Sequence, residues 1–170
     1  RVCEVLGTQP ENQKIITCHI GNGASVSAVD HGKCIDTSMG LTPLEGLMMG
    51  TRTGDLDASV VLAIMKKEGK TPDEMQDLLN KKSGLLGISG LGSDMRDVEN
   101  GVKEGNERAK LALDMYNYRI KKYVGAYAAA MGGVDTIVFT AGVGEHQWDV
   151  RYNALKDLEF LGIEVDYDKN

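Results

Sequence analysis

This sequence predicts an α/β domain built on a mixed sheet, and two features carry the prediction. Near the start, three short segments of period two follow one another across glycine turns; toward the end, a short apolar run passes through a glycine turn into a helical stretch. The first pattern is that of antiparallel hairpins, and the second is a strand–turn–helix unit of the kind that adds a parallel strand. Between them the hydrophobic period lengthens to that of helices. Such an order suits a mixed sheet with helices on both faces, in which ligands sit in the crevice beyond the strand ends.

Each element has a local reason. KIITCHI (14–20) and ASVSAVD (24–30) read as strands joined by GNG, and KCIDTSM (33–39) follows the turn His31–Gly32. LDASVVLAIMKKEGK (56–70) reads as a helix ended by Gly69. Thr71, Pro72 and Glu74 then supply an N-cap, a proline at the first helical position and a glutamate at the third, the capping-box pattern, opening a second helix that Gly84 closes. The stretch 84–101 is glycine-rich and then briefly helical. From Asn106 as N-cap the longest helix runs to Met131, with Tyr116, Ile120, Tyr123, Val124, Tyr127 and Met131 at spacings of three and four, before Gly132–Gly133 stop it. DTIVF (135–139) predicts a continuous apolar, buried strand that enters the turn TAGVGEH, and a helix follows over about 147–158. The apolar–acid alternation IEVDY (163–167) reads as one more strand.

Composition narrows the function. A chain of 170 residues buries roughly two thirds of its unfolded surface and needs no disulfide framework. Cys3, Cys18 and Cys34 have neither zinc-site nor paired spacing, which predicts reduced thiols and a cytoplasmic setting. The net charge of -6, with no basic run longer than Lys66–Lys67, Lys81–Lys82 or Lys121–Lys122, argues against nucleic acid and against an anionic membrane as partner. No apolar run approaches a bilayer span. The chain begins at Arg1 without methionine and breaks off just after an alternating stretch, so the expectation is a piece of a longer protein.

Four places carry candidate chemistry. GLMMGTRTGD (46–55) sets Arg52 among glycines, methionines and threonines, with Asp55 and Asp57 close behind; the guanidinium either serves a ligand or pairs with one of those carboxylates. HIGNG (19–23) puts an imidazole at a strand end and then a tight turn whose N–H groups suit an oxyanion, although Asn-Gly is also a common hairpin turn. SDMRD (93–97) opens a short helix where an arginine and carboxylates could hold a ribose or a base, or simply form a capped surface helix. GVGEH (142–146) follows an apolar strand as a phosphate-binding turn does, without the complete dinucleotide fingerprint. Together the glycine loops read as a nucleotide cleft. His31 reads as an exposed turn residue, and Met48 and Met49 as core filling.

TCHIGNGASVSAV, DTSMGLTPLEGLMMGTRTGDLD, GISGLGSDMRDV and MGGVDTIVFTAGVGEH together resemble the acetate kinase family, part of the acetate and sugar kinase, chaperone and actin superfamily, over essentially all 170 residues. The resemblance implies a ribonuclease H-like, actin-like ATPase fold and reversible transfer of the ATP γ-phosphoryl group to acetate, giving acetyl phosphate and ADP with Mg2+. It implies that residues 1–170 form the C-terminal nucleotide-binding domain of a two-domain kinase that acts as a homodimer. By the same match, Arg52 faces the transferring phosphoryl group and His19 donates to its oxygens. His19, Ile20, Gly21, Asn22 and Gly23 hold the nucleotide phosphates, Asp94, Met95 and Arg96 lie on the adenosine side, and Gly142, Val143, Gly144, Glu145 and His146 form the second nucleotide loop. No metal ligand is expected within this stretch.

Two departures from the family pattern stand out, Met95 where an aromatic is expected and His146 where asparagine is expected; both imply altered nucleotide affinity. The acetate-side groups and the magnesium-linked glutamate of the family find no match here, which predicts that the isolated chain does not turn over. A propionate kinase of the same fold, or an actin-like ATP-binding switch that moves a partner, are the competing readings.

Overall fold

A computed structural model of the chain describes residues 1–166 and 168–170, and the chain divides into two compact units, 1–38 with 117–170, and 39–116.

The first unit is built on a mixed four-stranded sheet. β1 (Lys14–Ile20), β2 (Ala24–Asp30) and β3 (Lys33–Thr37) form an antiparallel meander, and β4 (Thr136–Thr140) runs parallel to β1, in the order β3-β2-β1-β4. Alternation sets the register. Ile16, Cys18 and Ile20 of β1 and Ala24, Val26 and Ala28 of β2 are wholly buried, and a one-residue slip would expose all of them. β1 and β4 are joined at their starts by Lys14 N–H donating to Asp135 Oδ2 at 2.7 Å and Asp135 N–H donating to the Lys14 carbonyl at 2.8 Å.

Two expectations fail in this unit. DTIVF is not buried: β4 is an edge of the four-stranded sheet and all five of its residues are half-exposed. IEVDY shows no strand over 163–166, and Tyr167 lies outside the described residues. After β4 the chain becomes helical at once, in α7 (Ala141–His146) and α8 (Trp148–Leu155). A short α1 (Val2–Leu6), which the sequence did not suggest, precedes the sheet.

The second unit is helical. α2 (Ala58–Glu68) is capped by the Asp57 side chain and ended by Gly69 at φ 66°, and α3 (Pro72–Lys81) opens with the complete Thr71–Glu74 capping box. Gly84 does not close α3, whose C-cap is Lys82; it opens the unforeseen α4 (Gly84–Ser89). α5 (Met95–Lys103) begins at Asp94. α6 (Glu107–Met131) runs from the second unit into the first, capped by the Asn106 side chain, which accepts from the backbone N–H of Arg108 and Ala109. Its predicted stripe is buried at Tyr116, Ile120, Val124, Tyr127 and Met131, and Tyr123 is half-exposed.

Candidate functional site

In the first unit, the glycine turns come together because of strand register. β1 and β4 are parallel neighbours with His19 opposite Thr140, so both chains leave the sheet at the same end. After β1, Gly21 to Gly23 close a turn in which the Gly21 N–H donates to the Gly23 carbonyl at 3.1 Å. After β4, Ala141 takes φ 65°, a left-handed conformation unusual for a side chain with a Cβ, and this bend starts α7 directly. The turns touch: a Cβ on Gly21 would lie 3.5 Å from that of Ala141, and one on Gly144 would lie 3.5 Å from the Cβ of Ile20. His19 and Asn22 are exposed at this end, and His19 Nδ1 lies 3.0 Å from Thr140 Oγ1.

The segment 142–146, expected as a loop, is thus the body of a short helix, with Gly144 buried and Glu145 and His146 exposed. Arg151 of α8 closes that helix by donating from one guanidinium nitrogen to the carbonyls of Gly144 at 3.0 Å and Glu145 at 2.9 Å, where the helix dipole favours a cation. Neither Thr140 nor Arg151 stood out in the sequence. The only sequence signal was their place, one before and one after the glycine turn.

In the second unit, Arg52 sits in a loop held by backbone hydrogen bonds. Met49 N–H donates to the Arg52 carbonyl at 3.1 Å, Thr53 N–H to Leu79, Ser83 N–H to Thr51, and the Leu85 and Leu86 N–H groups to Met49 and Gly50. Thr51 Oγ1 donates to the Asn80 carbonyl at 2.8 Å. Leu47, Met48 and Met49 are buried beneath, so the two methionines are core.

The guanidinium is not neutralised. Its Nη1 donates to the Pro43 carbonyl at 3.3 Å and lies 3.6 Å from Met49 Sδ, and among the described residues no carboxylate pairs with it. The nearby acids are engaged elsewhere: Asp55 accepts from Gly46 N–H, and Asp57 caps α2. Arg52 borders a cavity of about 500 Å3 shared with Asp73, Gln76, Asp77, Asn80 and Lys81, and there Lys81 and Lys82 bind Asp77 at 2.8 and 2.9 Å and hold its carboxyl below the usual range. A half-buried cation with donors to spare is suited to an incoming anion.

Residues 94 to 96 form a capped helix start. Asp94 accepts from Arg96 N–H at 2.9 Å, and the Arg96 guanidinium grips the same carboxylate through Nε at 3.0 Å and Nη2 at 2.6 Å. The Arg96 side chain, followed by its backbone N–H, pulls the Asp94 carboxyl down to about 2. Met95 is buried, so the residue standing where an aromatic was expected packs inward. Arg96 is exposed.

Comparison with solved structures gives the class. The chain superposes on the crystal structure of Porphyromonas gingivalis acetate kinase with a TM-score of 0.98 at 56% identity, over 99% of this chain and 42% of that one. On a propionate kinase from Francisella tularensis the TM-score is 0.91 at 42% identity, over 98% and 43%. The fold is that of the actin-like ATPases. The Acetokinase family model matches residues 1–170, and the acetate kinase of Bacteroides thetaiotaomicron is 64% identical over 170 residues. The chain belongs to the acetokinase family. It spans about 43% of the length of that relative, and all of its own length is matched.

Proposed function

We propose that this chain is the nucleotide-binding half of an acetate kinase, which moves the γ-phosphoryl group of ATP to acetate and back. The observation that carries the reading is the pair of touching glycine turns at one end of parallel β1 and β4, in a chain 64% identical throughout to an acetate kinase. A carboxylate oxygen of acetate attacks the γ-phosphorus as the bond to the β-phosphate oxygen breaks, and ADP leaves. Charge then spreads over the three equatorial oxygens, and a positioned guanidinium stabilises it. Arg52, held by its backbone and paired with no carboxylate among the described residues, takes that role. His19 and residues 20–23 take the nucleotide phosphates with 142–146, and 94–96 take the adenosine side.

The donor set does not suggest a resident cation. Among the described residues no three of His, Cys, Asp and Glu converge as metal ligands, so Mg2+ is read as arriving with the nucleotide. Acetate is favoured over propionate because the curated relatives at 64 and 62% identity are acetate kinases. The homodimer and the cytoplasmic setting rest on family resemblance; no described helix is long and apolar enough to cross a membrane.

Calorimetric titration of MgADP into the chain and its Arg96→Ala variant tests the nucleotide reading. Saturable binding that weakens in the variant is expected, and a folded chain that binds nothing would overturn it. The isolated chain is expected not to phosphorylate acetate, because transfer needs groups positioned around both substrates. Turnover by the pure chain with MgATP and acetate would refute that expectation.

A further inference from the structure

We propose that Thr140 is the positioning residue of His19, fixing which way the imidazole points and, by donating to Nδ1, favouring the proton on Nε2. The two residues are direct partners in the parallel β1–β4 pair, and Thr140 Oγ1 stands 3.0 Å from His19 Nδ1. The contact therefore joins the two strand ends from which the glycine turns depart. It is the one side-chain hydrogen bond described for either group.

The choice of a hydroxyl matters chemically. A neutral imidazole has one donor and one acceptor nitrogen, and the partner of the first fixes the state of the second. A carboxylate or carbonyl beside Nδ1 can only accept, so it would put the proton on Nδ1 and leave Nε2 a bare acceptor, which a phosphate oxygen repels. A threonine hydroxyl can donate to Nδ1, and the proton then sits on Nε2 as a donor for an anion. Thr140 thus supports a donor for an anion on the neutral ring of His19. Its side chain is half-buried on a strand, where the β-branched Cβ restricts rotation, so the oxygen is held in place.

The consequence for ligand binding rests on the reading of His19 as a phosphate donor, whereas the effect on the ring itself does not. The experiment separates them. Ring 15N signals of His19 are recorded in the ligand-free chain well above the ordinary imidazole pKa of about 6.5, assigned with His19→Gln, and compared in Thr140→Val and Thr140→Ser. The Nε2–H tautomer is expected to be nearly exclusive in the parent chain and in Thr140→Ser, and in Thr140→Val to fall back to the mixture of a free imidazole, in which Nε2–H is merely the major form. MgADP affinity is expected to fall about fivefold in Thr140→Val, the worth of one hydrogen bond, and to recover in Thr140→Ser. Identical ring signals in parent and Thr140→Val would overturn the proposal. Shifted ring signals with unchanged MgADP affinity would sustain the positioning of His19 and overturn its assignment to phosphate.

Discussion

The glycine turns at the sheet end and the Arg52 loop both present polar groups from irregular backbone, and they are fixed in different ways. At the sheet end, the register of β1 against β4 brings together residues 121 positions apart in the chain, as the His19–Thr140 contact shows. In the Arg52 loop there is no strand. The backbone of 49–53 is hydrogen-bonded to 79–86 and lies over buried methionines, and its fit depends on glycines. A Cβ on Gly84, whose φ is 61°, would lie 2.2 Å from the Met49 carbonyl, and one on Gly54 would lie 2.5 Å from the carbonyls of Gly46 and Leu47. At the strand ends Gly142 has open space around it, whereas the Arg52 loop is packed backbone to backbone at Gly54 and Gly84.

Substitutions can break this contrast, and the largest effect belongs to the guanidinium. In a kinase of the relatives' full length carrying this chain, Arg52→Ala is expected to lower kcat by about a thousandfold or more with little change in melting temperature, as for arginines that stabilise phosphoryl transfer. Steady-state kinetics beside a thermal melt check both halves of that statement, and a variant with intact kcat removes Arg52 from the chemistry.

Gly84→Ala comes next. It forces a side chain into a left-handed conformation and against two carbonyls, so a loss of about 3 kcal/mol in denaturant titration is expected. Gly142→Ala, at the sheet end, has open space within 4 Å, and a change of about 0.5 kcal/mol or less is expected. Equal losses in the two variants would erase the distinction between the two kinds of site.

A smaller effect is expected at Thr71, whose cap begins the helix that supports the Arg52 loop through Leu79 and Asn80. Thr71→Ala should destabilise by about 1 kcal/mol, the worth of an N-cap, with hydrogen exchange in α3 rising before that in β1.

Acid sharpens the contrast further. Glu74, Asp77 and Asp94, whose carboxyls are held low by Thr71, by Lys81 with Lys82, and by Arg96 respectively, all lie in 39–116. A depressed folded pKa means stabilisation present above the unfolded value and lost as pH falls through the folded one. For Asp94 the loss therefore runs from its ordinary 3.8 down to about 2. Amide exchange followed down to that pH should show α3 and α5 loosening before β1 and β2. Simultaneous loosening would mean that these exposed pairs contribute too little to be felt, as many surface pairs do.

Much of the fold was legible locally. The spans of β1 and β2, the Thr71–Glu74 box and the Asn106 cap with its long buried stripe follow from side-chain alternation, hydroxyl capping and a period near 3.6, all of which act over a few residues. Misreadings arose where neighbours decide. α4 was hidden because its glycines read as a break, yet Gly84 opens a helix by fitting against the Met49 and Arg52 carbonyls. The apolar β4 reads as buried from composition, whereas its exposure depends on what lies beside it, and in this chain it is an edge. At the site, Arg52 was legible as a cation in an aperiodic loop. That neither Asp55 nor Asp57 pairs with it was not, because Asp55 accepts from the Gly46 N–H and Asp57 from the Ser59 N–H.

By itself, then, the sequence determined the four strands, the helices other than α1 and α4, the glycines at the turns and the family, because these depend on neighbours in the chain and on motifs read in line. The tertiary structure decided that His19 meets Thr140, that Arg151 closes the second glycine turn, and that among the described residues no carboxylate pairs with Arg52. Those are pairings between strands or between neighbouring helices, or choices among competing partners, and strand register and packing settle them only once the chain has folded.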